Sequence, residues 1–200
     1  MTTASHRLEL SPLSWVEHVP GWLPGADRVL ERLLCELPWG QQVLHLYGRK
    51  VAQPRLTALC GRSMDPASRY RRPNPEMPWT PTAAMVRDAV ARSVPDWEPN
   101  GLIANRYRDG ADSISWHADD EPALGPRPLV VSVSLGARRT FRLRPRDGGP
   151  TTLLELEHGD LLVMRGETQR EFVHAINKSA RPTGPRLSLT YRRYDDPAGD

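Results

Sequence analysis

Two short stretches pair a histidine with an acid two residues later: His117 and Asp119 in SWHADDE, and His158 and Asp160 in HGD. In an extended segment, residues two apart point to the same side, so an imidazole and a carboxylate at this spacing can share one small cation. With six histidines and 24 acidic residues in 200, the pattern is expected roughly 0.7 times by chance. Composition therefore selects neither pair, and reach has to decide. The runs DLLVMRG and EFVHAIN are expected to form a hairpin around residues 166–171, setting His174 across from about Val163. His158 then lies five residues farther along, roughly 17 Å at ~3.4 Å per residue, too far to share a metal with His174. It reads as a polar turn, with Gly159 supplying a permissive backbone. His117 and Asp119 meet no such objection, and His174 can join them where two sheets face each other. Two imidazoles and one carboxylate on one face of an octahedral metal leave three positions open, which suits Fe(II) activating oxygen. The competing reading is a solvated acidic loop beside an isolated core histidine.

The stretch RLSLTYRR bears on that choice. Its alternation puts Arg186, Ser188, Thr190 and Arg192 on one strand face and Leu187, Leu189 and Tyr191 on the other. Two arginines and two hydroxyls turned inward are costly without an anionic partner. A small dicarboxylate inside a barrel would match them, and Asn105 and Tyr107, also two apart, could add hydrogen bonds. The bland alternative is an outer strand with its polar face in water. An iron triad and a dicarboxylate pocket in one chain point together to 2-oxoglutarate.

The elements that must position these groups divide the chain at about residue 100. Before it, twenty prolines in the whole sequence make loops frequent, and two helices stand out. PGADRVLERLLCEL, residues 24–37, repeats apolar side chains at Val29, Leu30, Leu33, Leu34 and Leu37. TPTAAMVRDAVARSV carries Thr80 as N-cap and Pro81 at the first helical position, with Met85, Val86, Ala89 and Val90 expected inward. After residue 100, short alternating runs separated by turns predict strands at 102–107, 129–135, 140–144, 152–157, 161–165, 171–176 and 186–194. The expected fold is α+β, mainly β: a double-sheet jelly-roll core, or double-stranded β-helix, buttressed by two N-terminal helices. One domain is expected over residues 1–200, with helices and a nucleotide lid over 1–100, the catalytic β core over 101–194 and an acidic tail over 195–200.

Length and composition, 38% hydrophobic and 26% charged, are ordinary for a globular protein. The sequence has no long apolar run and no secretory signal, which predicts a cytoplasmic protein without a membrane span. Cys35 and Cys60 form no CxxC pattern and read as reduced, partly buried thiols. Lys50 and Lys178 are the only lysines among 27 basic residues, the rest being arginine, the side chain that grips phosphates and carboxylates through two parallel donors. Arg138, Arg139, Arg142, Arg144 and Arg146 fall within nine residues containing no acid. They predict a local anion-binding surface.

NRYRDGADSISWHADDE, VSVSLGARRTFRLR, HGDLLVMRGETQREFVHAI and GPRLSLTYRRY, in this order, strongly resemble the AlkB family of Fe(II)/2-oxoglutarate nucleic-acid dealkylases. The resemblance runs over roughly residues 100–194, is less distinct at PRLTALCG and MPWTP, and is nearest to the branch that repairs DNA. It implies His117, Asp119 and His174 as iron ligands, and Asn105, Tyr107, Arg186, Ser188, Thr190 and Arg192 on the strands that hold 2-oxoglutarate, with Arg186 at the distal carboxylate. It implies Glu121 as the contact for the exocyclic amine of a damaged base. The chain departs from the pattern in residues 62–77, normally an aromatic-bearing lid, where Tyr70 is the only candidate for stacking on the base before Trp79. Cys60 stands where relatives carry an aromatic, and Ser188 where an asparagine is common. Trp79 and Trp116 are expected to be packing residues, and Asp120 a loop carboxylate facing water.

The implied activity is oxidative dealkylation of bases such as 1-methyladenine and 3-methylcytosine in DNA, with O2 consumed and succinate and formaldehyde released. The target edge is hidden in a duplex, so the base must be flipped or single-stranded. Arg142 and Arg144, with the other arginines of 138–146 and Arg62, Arg69, Arg71 and Arg72, are expected to touch phosphates; if about five bind, log K should fall against log salt with a slope of roughly −4 to −5. The expected partner is DNA, or RNA, carrying alkylated bases, bound by a monomer. Oxidation of RNA or protein keeps the same cofactors, and a non-catalytic nucleic-acid-binding module is the reading from another class. A zinc hydrolase lacks its HExxH and leaves two inward arginines without a purpose.

Overall fold

The computed structural model describes residues 5–46, 49–63, 75–181 and 184–195. In chain order the strands are β1 (His6–Ser11), β2 (Ser14–Val19), β3 (Val43–Leu46), β4 (Arg49–Ala52), β5 (Leu56–Gly61), β6 (Gly101–Tyr107), β7 (Ile114–His117), β8 (Val130–Gly136), β9 (Arg139–Pro145), β10 (Thr152–Leu156), β11 (Leu161–Gly166), β12 (Phe172–Ile176) and β13 (Arg186–Arg192). The helices are α1 (Ala26–Glu36), α2 (Pro81–Ser93) and a single turn, α3 (Thr168–Glu171). The strands build a major sheet in the order β1-β2-β11-β8-β13-β6-β5, a minor sheet β10-β9-β12-β7, and a separate β3-β4 hairpin. Among the described residues every strand pairing is antiparallel.

Period-two alternation in the major sheet creates two different interiors. Leu187, Leu189 and Tyr191 of β13, Val131 and Val133 of β8, and Leu102 of β6 bury one face against Val29 and Leu33 of α1 and Ala83, Val86 and Val90 of α2. The residues between them, Ser188 and Thr190, Ser132, and Ile103 and Asn105, face a cavity toward the minor sheet. Beyond that cavity, Leu162 and Met164 of β11 pack with Phe141, Leu143, Phe172 and Ile176 of the minor sheet.

Local chemistry accounts for the second helix. The Thr80 side chain accepts from the Ala83 N–H at 3.4 Å, and Pro81 occupies the first turn, where its missing donor has no partner to lose. Its buried face is Thr82, Ala83, Val86 and Val90. Met85 is 47% exposed, a correction to the expected face: positions 82, 86 and 90 define the stripe, and 85 lies off it.

Two larger corrections concern strands. The first hundred residues contain β1, β2 and β5, all joined to the major sheet; the helix-and-loop reading missed them because SWVEHV and RLTALCG are short alternations between prolines. The second correction is that β11 and β12 do not form a hairpin. β11 pairs with β2 and β8, whereas β12 pairs with β9 and β7 in the other sheet. Gly166, at φ +64°, turns the chain out of the major sheet at a point where a Cβ would collide with the Leu13 carbonyl oxygen. α3 then carries it across to the minor sheet. Among the described residues no helix is long and apolar enough to cross a membrane.

Candidate metal centre and anion cradle

The crossover places His174 in register with His117 on β7 and with Leu143 on β9. One ligating atom from each of His117, Asp119 and His174 lies within 4.8 Å of the others, the single such group among the described residues. His117 Nδ1 sits 2.8 Å from the Ser115 carbonyl. A carbonyl only accepts, so Nδ1 carries the proton and Nε2 keeps its lone pair for a metal. Asp119 follows β7, with its backbone N–H donating to Gln169 Oε1 at 2.9 Å and its carboxylate accepting from Arg192 Nη2.

Both buried ligands hold the protonation state a cation requires. Burial alone would raise the Asp119 pKa, but Arg192 and the two imidazoles outweigh it and keep the carboxyl below its ordinary value. Burial, with His117 and Arg192 beside it, lowers His174 to about 3 against the opposing pull of Asp119. The 3.9 Å between His174 Nε2 and Asp119 Oδ2 therefore separates a neutral ring from a carboxylate, and is no ion pair. Phe141 stacks on His174 with centroids 5.1 Å apart.

The trio opens onto a cavity of about 190 Å³ whose polar side is formed by Asn105, Tyr107, Ser132, Ser188, Thr190 and Arg192 and whose apolar side includes Phe141, Met164 and Ile176. That is below the roughly 300–1,000 Å³ of pockets for drug-sized ligands, a scale for a small acid. Arg186 is 1% exposed; its Nη2 donates to Ser134 Oγ at 2.9 Å, while Nε and Nη1 are buried without a partner. Its guanidinium and that of Arg139 lie 5.3 and 5.6 Å from the Tyr107 ring centroid. Burial lowers the Arg186 pKa, Tyr107 opposes this through its charge and a side-chain hydrogen bond, and Arg139 adds to the lowering. A buried cation held by Ser134 and Tyr107, with two donors lacking a well-aligned partner, is an interaction that a carboxylate would complete. Arg192 differs, because Asp119, Glu121 at 3.3 Å and the Tyr194 hydroxyl at 3.3 Å engage it and only Nε is free.

The 2OG-Fe(II) oxygenase superfamily pattern matches residues 16–192. The chain is 38% identical to the mouse (Mus musculus) alpha-ketoglutarate-dependent dioxygenase alkB homolog 3 over 97% of its own length and 72% of that protein's. The chain belongs to the AlkB group of the 2OG-Fe(II) oxygenase superfamily. It is also 35% identical to the DNA oxidative demethylase ALKBH2 of Arabidopsis thaliana, over 78% of this chain and 58% of that one. The solved structure of OsALKBH1 superimposes with a TM-score of 0.68 at 19% identity, covering 94% of this chain and all of the other, a likeness of fold. As a member of this family the chain is an Fe(II)/2-oxoglutarate-dependent dioxygenase that uses O2.

Within this dioxygenase the other expected site residues are distributed unevenly. Glu121 lines the cavity, with Oε1 on Arg192 and Oε2 buried and unpartnered. Tyr70, Arg69, Arg71, Arg72 and the tail beyond residue 195 lie outside the described residues. Arg142 and Arg144 flank Leu143, which faces inward, so both sit on the outer surface of the minor sheet, behind the cavity. The cluster is also less free than its composition implied. Arg138 is 3.5 Å from Glu155, Arg139 is buried and donates to the Asp109, Asp112 and Asn177 carbonyls, and Arg146 reaches Asp120 at 2.7 Å. Asp120 is accordingly an ion-pair partner. His158 is engaged elsewhere, accepting from the Gly136 N–H at 2.8 Å. Trp79 stacks against Tyr191, Cys60 is buried and Cys35 exposed.

Three further residues touch the site. Arg55 lines the cavity and donates to Asn105 Oδ1 at 2.7 Å; Gln169 joins Asp119 to the Met164 thioether, 3.3 Å from its Nε2; Ser134 holds Arg186. Only Ser134 carried a sequence signal, since the serines of VVSVSLG alternate with core valines.

Proposed function

We propose that the chain removes alkyl groups oxidatively from ring nitrogens of nucleic-acid bases, 1-methyladenine and 3-methylcytosine in DNA being the expected substrates. The observation that carries this reading is the cluster of His117, Asp119 and His174 opening onto a small cavity lined by Asn105, Tyr107, Thr190 and Arg192, with the Arg186 guanidinium against the Tyr107 ring just outside that lining, in a relative of alkB homolog 3 and of a DNA oxidative demethylase. Fe(II) and 2-oxoglutarate, when bound with O2, supply the oxidising power that hydroxylates a C–H bond and release succinate and CO2. His117, Asp119 and His174 would hold the iron. Arg186, beside Tyr107, would hold the distal carboxylate. Asn105, Ser188 and Thr190 would offer hydrogen bonds to a bound 2-oxoglutarate, and Arg192, which orients Asp119, would have its unpartnered Nε available to a carboxylate. Phe141, Met164 and Ile176 exclude water from the reacting C–H bond.

Glu121 accepts from the exocyclic amine of the damaged base, and its unpartnered Oε2 supports that role. An N-hydroxymethyl product expels formaldehyde unaided, so no protein nucleophile is required. Tyr70 remains the stacking candidate on the lid. Phosphate contacts from the 138–146 run rest on Arg142 and Arg144, which have no acidic partner among the described residues; the pair contributes a slope of about −2 in log K against log salt.

The test is anaerobic loading of the protein with Fe(II), 2-oxoglutarate and an oligonucleotide carrying one 3-methylcytosine, followed by air and mass measurement. Loss of one methyl with stoichiometric succinate, absent in His117→Ala, is the expected result. Succinate without demethylation would keep the oxygenase and discard the substrate.

A further inference from the structure

Of the tryptophans, Trp116 has the least structural explanation. Trp22, Trp39, Trp79 and Trp97 belong to or pack against the core beneath the helices, and the Trp15 ring N–H lies 3.3 Å from Glu17. Among the described residues Trp116 belongs to neither apolar cluster and its ring N–H has no acceptor. What it has is Arg144, whose guanidinium lies 4.2 Å from the ring centroid. Trp116 also lines a groove of about 330 Å³ together with Val51, Ala52 and Pro54. This groove shares Gln53, Arg55, Ile114 and His117 with the metal cavity, so the two spaces adjoin at a metal ligand. Its walls are tied together by the Ser113 N–H on the Pro54 carbonyl at 2.8 Å and by Arg55 Nη1 on the Ser113 carbonyl at 3.4 Å.

We propose that this groove is a second base subsite: the unpaired nucleotide next to the target base, in the same strand, stacks on Trp116. The inference rests on the nucleic-acid reading above and adds where the neighbouring nucleotide goes. Arg144 covers one face of the Trp116 ring, so the base stacks on the other; an aromatic ring, apolar residues lining the same groove and a neighbouring guanidinium are what a base and its phosphate require together, since every base offers a π face and stacking tolerates any sequence. Val51, 43% exposed, is the apolar surface such a base would cover. Arg144, exposed and without an acidic partner among the described residues, lies over the Trp116 ring and offers its guanidinium donors to the phosphate. Single-stranded substrate, whose neighbouring bases are not held in a duplex stack, is favoured by this arrangement.

A two-by-two comparison tests it, using a fluorescein-labelled single strand with one 3-methylcytosine and a matching strand with abasic sugars on both sides of the lesion. Wild type is expected to bind the abasic-flanked strand about tenfold more weakly by anisotropy, given what base stacking contributes. Trp116→Ala should bind the normal strand with the same loss and show no further loss on the abasic one, the coupling of a double-mutant cycle. Trp116→Phe, with its melting temperature checked, should recover most of the affinity because a ring remains. Equal losses on both strands, no loss at all, or failure of the folded phenylalanine variant to recover binding would overturn the subsite while leaving the nucleic-acid reading in place. Wild type that binds neither strand would remove both.

Discussion

The amide of Gln169 accepts from the backbone N–H of Asp119 at 2.9 Å, so the turn that carries the chain between the sheets also fixes the carboxylate of the metal centre. Gln169 is 1% exposed and its carbonyl accepts from Arg146, which also binds Asp120. Replacing Gln169 with Leu leaves the Asp119 N–H buried and unpaired, at a cost of about 1–3 kcal/mol. Fe(II) affinity should fall about 10- to 100-fold, as it does when groups that orient metal ligands are removed. Melting temperature and an anaerobic Fe(II) titration check the two effects, and an unchanged titration would show that the contact does not position the ligand.

Arg186→Met should separate stability from binding. The wild-type guanidinium is buried with two donors lacking a well-aligned partner, so an apolar side chain of similar length is expected to leave the ligand-free protein as stable or more stable, by up to about 1–4 kcal/mol. The stabilisation by added 2-oxoglutarate should disappear. Thermal melts with and without 2-oxoglutarate measure both, and a strongly destabilised ligand-free variant would mean that Ser134 and Tyr107 already satisfy the cation.

His158→Ala distinguishes the two His-x-Asp pairs. Its Nδ1 accepts from Gly136, whose φ of +86° and proximity to the Pro185 carbonyl fix the β8–β9 turn. The variant should lose about 1–3 kcal/mol of stability and bind Fe(II) as wild type does. His174→Ala is expected to lose Fe(II) binding, read by the same anaerobic titration.

Asp112 is the acid-sensitive joint beside the anion cradle. It accepts from the Arg108 backbone N–H and from Nε and Nη2 of the same residue at 2.8–2.9 Å. The Arg108 side-chain hydrogen bonds, opposed by burial and helped by its backbone N–H, lower the Asp112 pKa. Its contribution is therefore present above the unfolded carboxylate value, about 4, and is lost as pH falls through the lower folded value. Asp112→Asn should cost about 1–2 kcal/mol at pH 7, reduced by the exposure of Arg108, and should flatten the acid side of the stability profile between about pH 5 and 2. Urea midpoints across that range test it; parallel profiles for the two proteins would rule the joint out.

The sequence by itself determined the chemistry and the faces. The His117-x-Asp119 spacing, the alternation of RLSLTYR and the Thr80-Pro81 helix start depend on strand and helix periodicity and on local capping, which neighbours along the chain specify. These same residues carried the family resemblance. The tertiary structure decided which strands meet. Nothing local in DLLVMRGETQREFVHAI distinguishes a hairpin from a crossover; Gly166 against the Leu13 carbonyl and the β2 edge beside β11 make that choice, and both lie more than 140 residues away in sequence. It also decided which charges are spent. Arg138, Arg139 and Arg146 looked as available as Arg142 and Arg144 until the fold brought Glu155, backbone carbonyls and Asp120 to them. Arg186 looked no different from Arg192 until one was left half-paired and the other bound to Asp119. Periodicity assigns a side chain to a face, but whether its charge finds a partner depends on long-range contacts that only the packed sheets create.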